Sequence, residues 1–526
     1  MATITINDTP TSAPEGATLL AAIRALGFDV PTLCHRDDLE HATSCMLCVV
    51  EDLATGRLLP ACSTPVRDGL HIATASPAVL AARREALELL LGDHLGDCEG
   101  PCRLACPAGL DIPAMLHALA AGDPTTAARL TRRDLVLPVT LGRICPAPCE
   151  KACRRRGLDA AVAIRTIHRV AGASSGALSP SAPTGFHVAV VGGGPAGLAA
   201  AASLRAAGHA CTLFEREAQL GGGLRAPELR SRLPSDALES DIAWVLERGV
   251  TVNRGVEVGR DVSLASLIAD FDAVVLACGP VDTAAARRLG LDATARGLAC
   301  ERLTHRTALP TVFACGAAVF PGRIAARAVG EGRTAAAAVG QMLRGEPVEG
   351  EPSRYRHRIG APIDPAELSA MLAAGASAEP RVVDDNLATD CTPEDARREA
   401  ARCLHCECRK ADVCKLRIMA ETHGLGPGGW KPAERRHLTI QRQGGTVYEP
   451  GKCIACGICV RLTKLHQAPL GLAFIGCGFN VRVGVPFDEP LDAALRSLAA
   501  DCVAACPTGA LAFAGDEAGT SMQASR

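Results

Sequence analysis

GFHVAVVGGGPAGLAAAASLRAAGHACTLFE, residues 185–215, is the stretch whose reading decides the architecture of the chain. Phe186 to Val191 is a short apolar run, and it leads directly into Gly192, Gly194-Pro195-Ala196 and Gly197, then into an alanine-rich helical run. That order predicts strand, tight turn and helix. Glycines at these places let the backbone approach a pyrophosphate, whose charge the helix N-terminus stabilises. Glu215 closes a second apolar run, Cys211 to Phe214, where an acceptor for a ribose hydroxyl is wanted. A bare glycine pattern also arises as a fortuitous turn; strand, helix and acidic residue together predict a dinucleotide site.

Working outward, 526 residues with 48% hydrophobic and 21% charged residues are ordinary globular composition and leave room for several domains. A net charge of −2 gives no sign of nucleic-acid binding or of a polybasic membrane surface. The local cluster Arg154-Arg155-Arg156 reads as a solvated face. The opening MATITINDTP lacks a basic-then-apolar signal, and no long apolar run suited to a membrane span follows, so a cytoplasmic location is expected. Against that background 25 cysteines are the anomaly, and metal or cluster ligation is the default expectation for them.

Residues 3–7 alternate like a strand, Thr18 to Leu26 reads as a helix, and Cys34, Cys45, Cys48 and Cys62 follow with gaps of ten, two and thirteen residues. Four thiolates grouped in this way suit a [2Fe–2S] cluster, two per iron, held in loops of a β-grasp domain. Zinc accepts four cysteines too, though usually as two close pairs. The spacing resembles the N-terminal [2Fe–2S] ferredoxin domain of the large iron–sulfur subunit of respiratory complex I and of related hydrogenase and formate dehydrogenase subunits, over residues 1–76.

A helical stretch, Pro77 to Leu91, precedes HLGDCEGPCRLACPAGLDIP and, later, GRICPAPCEKAC. These supply Cys98, Cys102 and Cys106, then Cys145, Cys149 and Cys153, two triplets with gaps of three. Residues 77–170 resemble the N-terminal cluster domain of the glutamate synthase small subunit and of dihydropyrimidine dehydrogenase, a helical domain whose two [4Fe–4S] clusters take crossed ligands. The resemblance implies Cys98, Cys102 and Cys153 for one cluster and Cys106, Cys145 and Cys149 for the other. It also offers His94 and His168 as fourth ligands, the alternatives being a surface or second-sphere histidine and an ordinary helix histidine.

The small, Pro- and Ser-rich run 171–185 reads as a linker into the dinucleotide domain, 186–345. Gly221-x-Gly223-x-x-Ala226 mimics a second fingerprint, but no apolar strand feeds it and no regular helix follows. In flavoproteins resembling the glutamate synthase small subunit, a Gly-Gly here lies along the flavin, which makes Gly222 and Arg225 candidate contacts for FAD. Phe271 to Cys278, ending at Gly279, and Val312 to Cys315, ending at Gly316, read as buried parallel strands of a doubly wound sheet. Between those strand ends the NAD(P)H-using relatives keep a complete second Rossmann unit. Here 37 residues run from Gly279 to Gly316 without a strand–GxGxxG–helix order, and a βαβ unit takes about 30 or more. NAD(P)H binding in the family's manner is therefore not expected. The relatives also carry Gly-Asp after the last strand, where this chain has Gly316-Ala317.

Residues 346–400 read as a linker with one amphipathic segment, Pro365 to Ala373. Cys403, Cys406, Cys408 and Cys414, in a module spanning 401–445, suit a [4Fe–4S] cluster or zinc. In the last domain, 446–520, Cys453, Cys456 and Cys459 begin a ferredoxin run that Cys506-Pro507 closes, enough for one [4Fe–4S] cluster. Cys211, Cys278, Cys300, Cys315, Cys391, Cys477 and Cys502 are left over and read mostly as small buried hydrophobes.

The expected fold class is multidomain α+β and α/β: a β-grasp [2Fe–2S] ferredoxin, a helical double-cluster domain, a Rossmann-like FAD domain and a C-terminal ferredoxin-like domain. The expected cofactors are FAD, one [2Fe–2S] and three or four [4Fe–4S] clusters. The whole resembles electron-transfer subunits joined to formate dehydrogenases, hydrogenases and similar oxidoreductases, with the two ferredoxin domains as the ends of a relay. That resemblance implies partners of molybdenum, tungsten or nickel–iron type, or a ferredoxin. A self-sufficient NAD(P)H- or ferredoxin-dependent reductase and a cluster scaffold with a decayed flavin site are the alternatives.

Overall fold

The computed structural model describes residues 1–173, 181–322, 324–351, 354–360, 363–383, 391–426 and 437–514. Most of the linker read at 171–185 lies outside the described residues. The chain forms two compact units that cut across the sequence boundaries. One joins Met1–Glu99, Arg354–Gly375 and Leu404–Arg526, and the other joins Gly100–Ser353 and Ala376–Cys403. The expected linker 346–400 is thus divided between the two, and the module expected at 401–445 is cut after Cys403. The reason is packing. Pro365–Ala373 buries Leu368 and Met371 in the first unit, and Pro393–Ala400 buries Ala396, Glu399 and Ala400 in the second.

In the first unit, alternation in Ala2–Ile6 puts Ala2, Ile4 and Ile6 on one buried face. This strand lies second in a mixed five-stranded sheet, between Thr9–Ala13 and His71–Ala73, with Val49–Asp52 and Arg57–Pro60 beyond. Helix Leu19–Ala25 starts where the Thr18 hydroxyl accepts the Ala21 amide, and it lays Leu19, Leu20 and Ile23 on the sheet's apolar face. A second core of the same unit is built from both ends of the chain. Leu33, Leu39, Leu87 and Leu91 pack in it with Leu416, Leu462, Leu491 and Leu511.

The second unit begins with helices whose starts the sequence marks with proline in the first turn, Pro101, Pro113, Pro124, Pro138 and Pro148. After them comes an all-parallel sheet in the order Val312–Ala314, Ala273–Leu276, His187–Val191, Ala210–Glu215, Thr251–Arg254. Helices Pro195–Ala206 and Ala325–Leu343 pack on each other closely. A Cβ on Gly332 would lie 2.1 Å from the Ala196 carbonyl oxygen, so the alanine-rich surfaces set the interhelical distance. Residues 279–316 hold one short helix, Thr283–Arg288, and a hairpin of Ala293–Thr294 with Gly297–Leu298.

The basic cluster differs from its sequence reading, because Arg155 is buried. Its guanidinium donates to the Asp159 carboxylate at 2.7 Å and to the Ser377 and Arg402 carbonyls at 2.8 and 3.0 Å. Arg402, itself fully buried, pairs with Glu399 at 2.6 Å and Asp159 at 2.9 Å. Burial raises the Asp159 pKa, but the hydrogen bonds from Arg155 and Arg402 outweigh it and hold the carboxyl well below its ordinary value. Among the described residues no helix is long and apolar enough to cross a membrane.

Candidate functional site

The second unit contains a cavity of about 1420 Å³ at the carboxyl ends of the parallel strands, where ligands of open α/β sheets bind. It exceeds the ~300–1,000 Å³ of ordinary small-molecule pockets and suits a dinucleotide. Every candidate contact from the sequence lines it except Gly197, which lies behind the turn. A Cβ on Gly197 would fall 1.9 Å from the Gly192 carbonyl oxygen, and one on Gly192, whose φ is +105°, 2.4 Å from that of Ala277. By contrast, Gly194 faces open space. The first two glycines therefore serve the turn and the helix–strand packing, and the third leaves room for a ligand. Glu215 is held by the amides of Gly193, at 2.6 Å, and Glu217, at 2.9 Å. This fixes its carboxylate as an acceptor on the cavity wall.

Ala317 lines the cavity, as expected for a position that lacks the relatives' carboxylate. Glu331, which the sequence reading missed, also reaches this wall: the Gly316 amide donates to its carboxylate at 3.0 Å. Its only signal in the sequence is a glutamate in the alanine-rich run that follows Gly316. The opposite wall comes from Leu141, Ile144, Cys145 and Pro146, so a candidate cluster loop shares the cavity with the glycine-rich turn.

Burial pushes up the thiols of Cys145 and Cys149, and Cys106 stands close enough to raise both further, as Cys145 does Cys149. Cys102, Cys153 and Cys403 pack against the same core. Cys153 lies near Arg402 and its thiol is pushed up by burial. Bound iron needs thiolates, so filling such sites releases protons. His168 is fully buried, and burial lowers its pKa to about 4. Among the described residues its Nδ1 has no hydrogen-bond partner. A neutral imidazole with a free nitrogen is a competent ligand. Its helix, Ile164–Ala173, packs on Pro138–Ile144, which Cys145 caps.

In the first unit all four N-terminal cysteines are buried and meet as hydrogen-bonded pairs, Cys34 with Cys45 and Cys48 with Cys62. The hydrogen bond from Cys45 draws Cys34 down to about 5, and the one from Cys48 draws Cys62 to about 6. Cys453, Cys456, Cys459 and Cys506 surround a void of about 20 Å³. Cys34 and Cys456 interact electrostatically, and Arg461 donates to the carbonyls of both, at 2.8 and 3.1 Å. The two ferredoxin-type sites are thus neighbours within one unit, not the opposite ends of the chain of sites that the sequence suggested. His94 is also in this unit. It borders a cavity of about 490 Å³ with Cys45 and Cys453, and its ring meets that of His357 edge to face.

Cys98 belongs to the first unit, and the neighbouring thiols with which it interacts there are Cys408 and Cys414.

Three domain families define the class of protein. Residues 1–77 match the 2Fe-2S iron-sulfur cluster binding domain, residues 95–176 the dihydropyrimidine dehydrogenase domain II with 4Fe-4S cluster, and residues 150–341 the pyridine nucleotide-disulphide oxidoreductase domain. The chain is thus an iron–sulfur protein with a flavin-type oxidoreductase domain. Among curated relatives, it is 35% identical over 34% of its length to the NADP(+)-dependent formate dehydrogenase subunit beta of Moorella thermoacetica, covering 29% of that protein. It is 32% identical over 50% of its length to the NADPH-Fe(3+) oxidoreductase subunit beta of Geobacter sulfurreducens, covering 39%. It is 40% identical over 35% of its length to the glutamate synthase [NADPH] small chain of Mycobacterium tuberculosis, again covering 39%. The chain therefore spans well under two thirds of these relatives.

Proposed function

We propose that the chain is an electron-transfer subunit in which one FAD and several iron–sulfur clusters pass electrons between a catalytic oxidoreductase subunit and a second redox partner. One observation carries this reading: Cys145 and the glycine-rich turn line the same cavity. FAD can exchange electrons one or two at a time and clusters exchange them singly, which is the chemistry these groups would supply when bound. The residues of the chain do the rest. Gly192 and Gly194 open the turn for a pyrophosphate, Glu215 accepts from ribose hydroxyls, and Cys106, Cys145 and Cys149 hold a cluster beside the cavity with His168 as its fourth ligand. A β-grasp [2Fe–2S] domain and a ferredoxin-like [4Fe–4S] domain make up the rest of the relay, in a cytoplasmic complex.

The names of all three relatives favour a second reading, a chain that exchanges electrons with NADP(H) directly. The hairpin and short helix at 279–316 weigh against it, since they offer no second βαβ unit. The discriminating experiment is stopped-flow reduction of the anaerobically purified, FAD-loaded chain. Our reading expects the flavin to bleach with a low-potential partner subunit or reduced ferredoxin but not within seconds of adding NADPH. Tight NADPH binding with rapid bleaching would overturn it.

A further inference from the structure

We propose that Cys98 is a ligand of a four-thiolate [4Fe–4S] site with Cys408 and Cys414, inside the unit that carries both ferredoxin-type sites, the fourth thiolate being supplied by Cys406, two residues before Cys408 in the sequence. The proposal rests on the chain being an iron–sulfur protein, and it departs from the ligand grouping that the family resemblance implies.

The segment bearing Cys98 is fastened to the segment before residue 360. The Cys98 amide donates to the His357 carbonyl at 3.1 Å, and the His357 amide donates back to Cys98 Sγ at 3.4 Å. Asp97 accepts the Ile359 amide at 2.8 Å. Next to Cys98, Glu99 forms a buried pair with Arg417 at 2.8 Å, and Arg417 lies on the helix that Cys414 caps. Arg417 also donates to the Tyr355 carbonyl at 2.8 Å. These bonds fix Cys98 and Cys414 on one side of the site.

Cys408 completes it from another direction. A Cβ on Gly509 would lie 2.2 Å from Cys408 Sγ, so only glycine fits there, three residues after Cys506. Lys410 donates to the Cys506 and Val503 carbonyls at 2.8 Å each. The fully buried Lys452 lies within electrostatic reach of Cys408 and pairs with Glu449 at 2.7 Å. Four thiolates around a metal centre carry net negative charge, and Arg417 and Lys452 place buried positive charge beside it. Zinc would satisfy the same sulfurs but is redox-inert. A site packed against the Cys506 loop is placed to conduct, which selects iron. Each thiol gives up its proton to solvent as its sulfur takes iron.

The arrangement is tested on the full chain purified anaerobically, by iron and zinc content and by electron paramagnetic resonance of the reduced protein. Cys98→Ala and Cys408→Ala should each remove about four irons per chain and the same spectral component, and the double variant should lose no more. Cys98→Ala combined with Cys153→Ala should lose about eight. Loss of about eight irons by the Cys98/Cys408 pair, no extra loss by the Cys98/Cys153 pair, or zinc in place of iron would each overturn the proposal. If the alanine variant does not accumulate, Cys98→Ser decides. It should alter the component that Cys408→Ser alters, and altering the one that Cys153→Ser alters instead would overturn the proposal. A chain with no iron at all would sink the iron–sulfur reading itself.

Discussion

The two units assemble their chemistry in opposite ways. In the second, the cavity wall comes from contiguous motifs, the turn at 192–197 and the loop around Cys145, each placed by the helix or strand it adjoins. In the first, Cys98 meets Cys408 and Cys414, and Cys34 meets Cys456, across hundreds of residues. Local motifs therefore account for those parts of the second unit's cavity wall, whereas only tertiary packing brings Cys98 and Cys34 to their distant neighbours in the first.

The largest effect is expected where the second unit depends on distant residues as the first does, at Arg402. Arg402→Ala leaves Glu399 buried without its cation, which costs about 3–5 kcal/mol. Chemical denaturation should show this loss, and a change under ~1 kcal/mol would mean that the cluster around Asp159 is not a structural clamp. A smaller effect tests the contiguous motif. Glu215→Gln keeps the shape but removes the anion, and FAD affinity measured by fluorescence should fall about tenfold, or ~1.4 kcal/mol. Unchanged affinity would detach Glu215 from the ligand.

Smallest is the pH dependence. Because the folded pKa of Asp159 is depressed, its contribution is complete above the ordinary aspartate value of ~3.9 and is lost as pH falls from there toward the folded pKa. Wild-type stability should therefore fall more steeply below about pH 4 than that of Asp159→Asn. Parallel curves would refute the assignment.

Much of this was legible in the sequence. Helix Pro365–Ala373 occurs where the amphipathic segment was read, and the strands ending near Gly279 and Gly316 are parallel neighbours in one sheet. Periodicity and glycine placement carry such information because strand, turn and helix form from local residues. The even spacing of the triplet groups Cys98 with Cys102, whereas our proposal groups it with Cys408 and Cys414; spacing records distance along the chain and not which way each member faces. Arg155 was misread for a related reason. Three adjacent arginines look solvated until the Asp159 carboxylate and the carbonyls of Ser377, Glu379 and Arg402 close around the middle one.

The core shared by Leu33, Leu91, Leu462 and Leu511 also has a consequence for biosynthesis. At ~5–20 residues per second, the ribosome needs about a quarter of a minute to a minute to travel from residue 99 to residue 404, where the rest of that core begins to emerge. For that interval the apolar side of the nascent N-terminal segment has no native partner. Shielding of that side then falls to chaperones before the chain is finished.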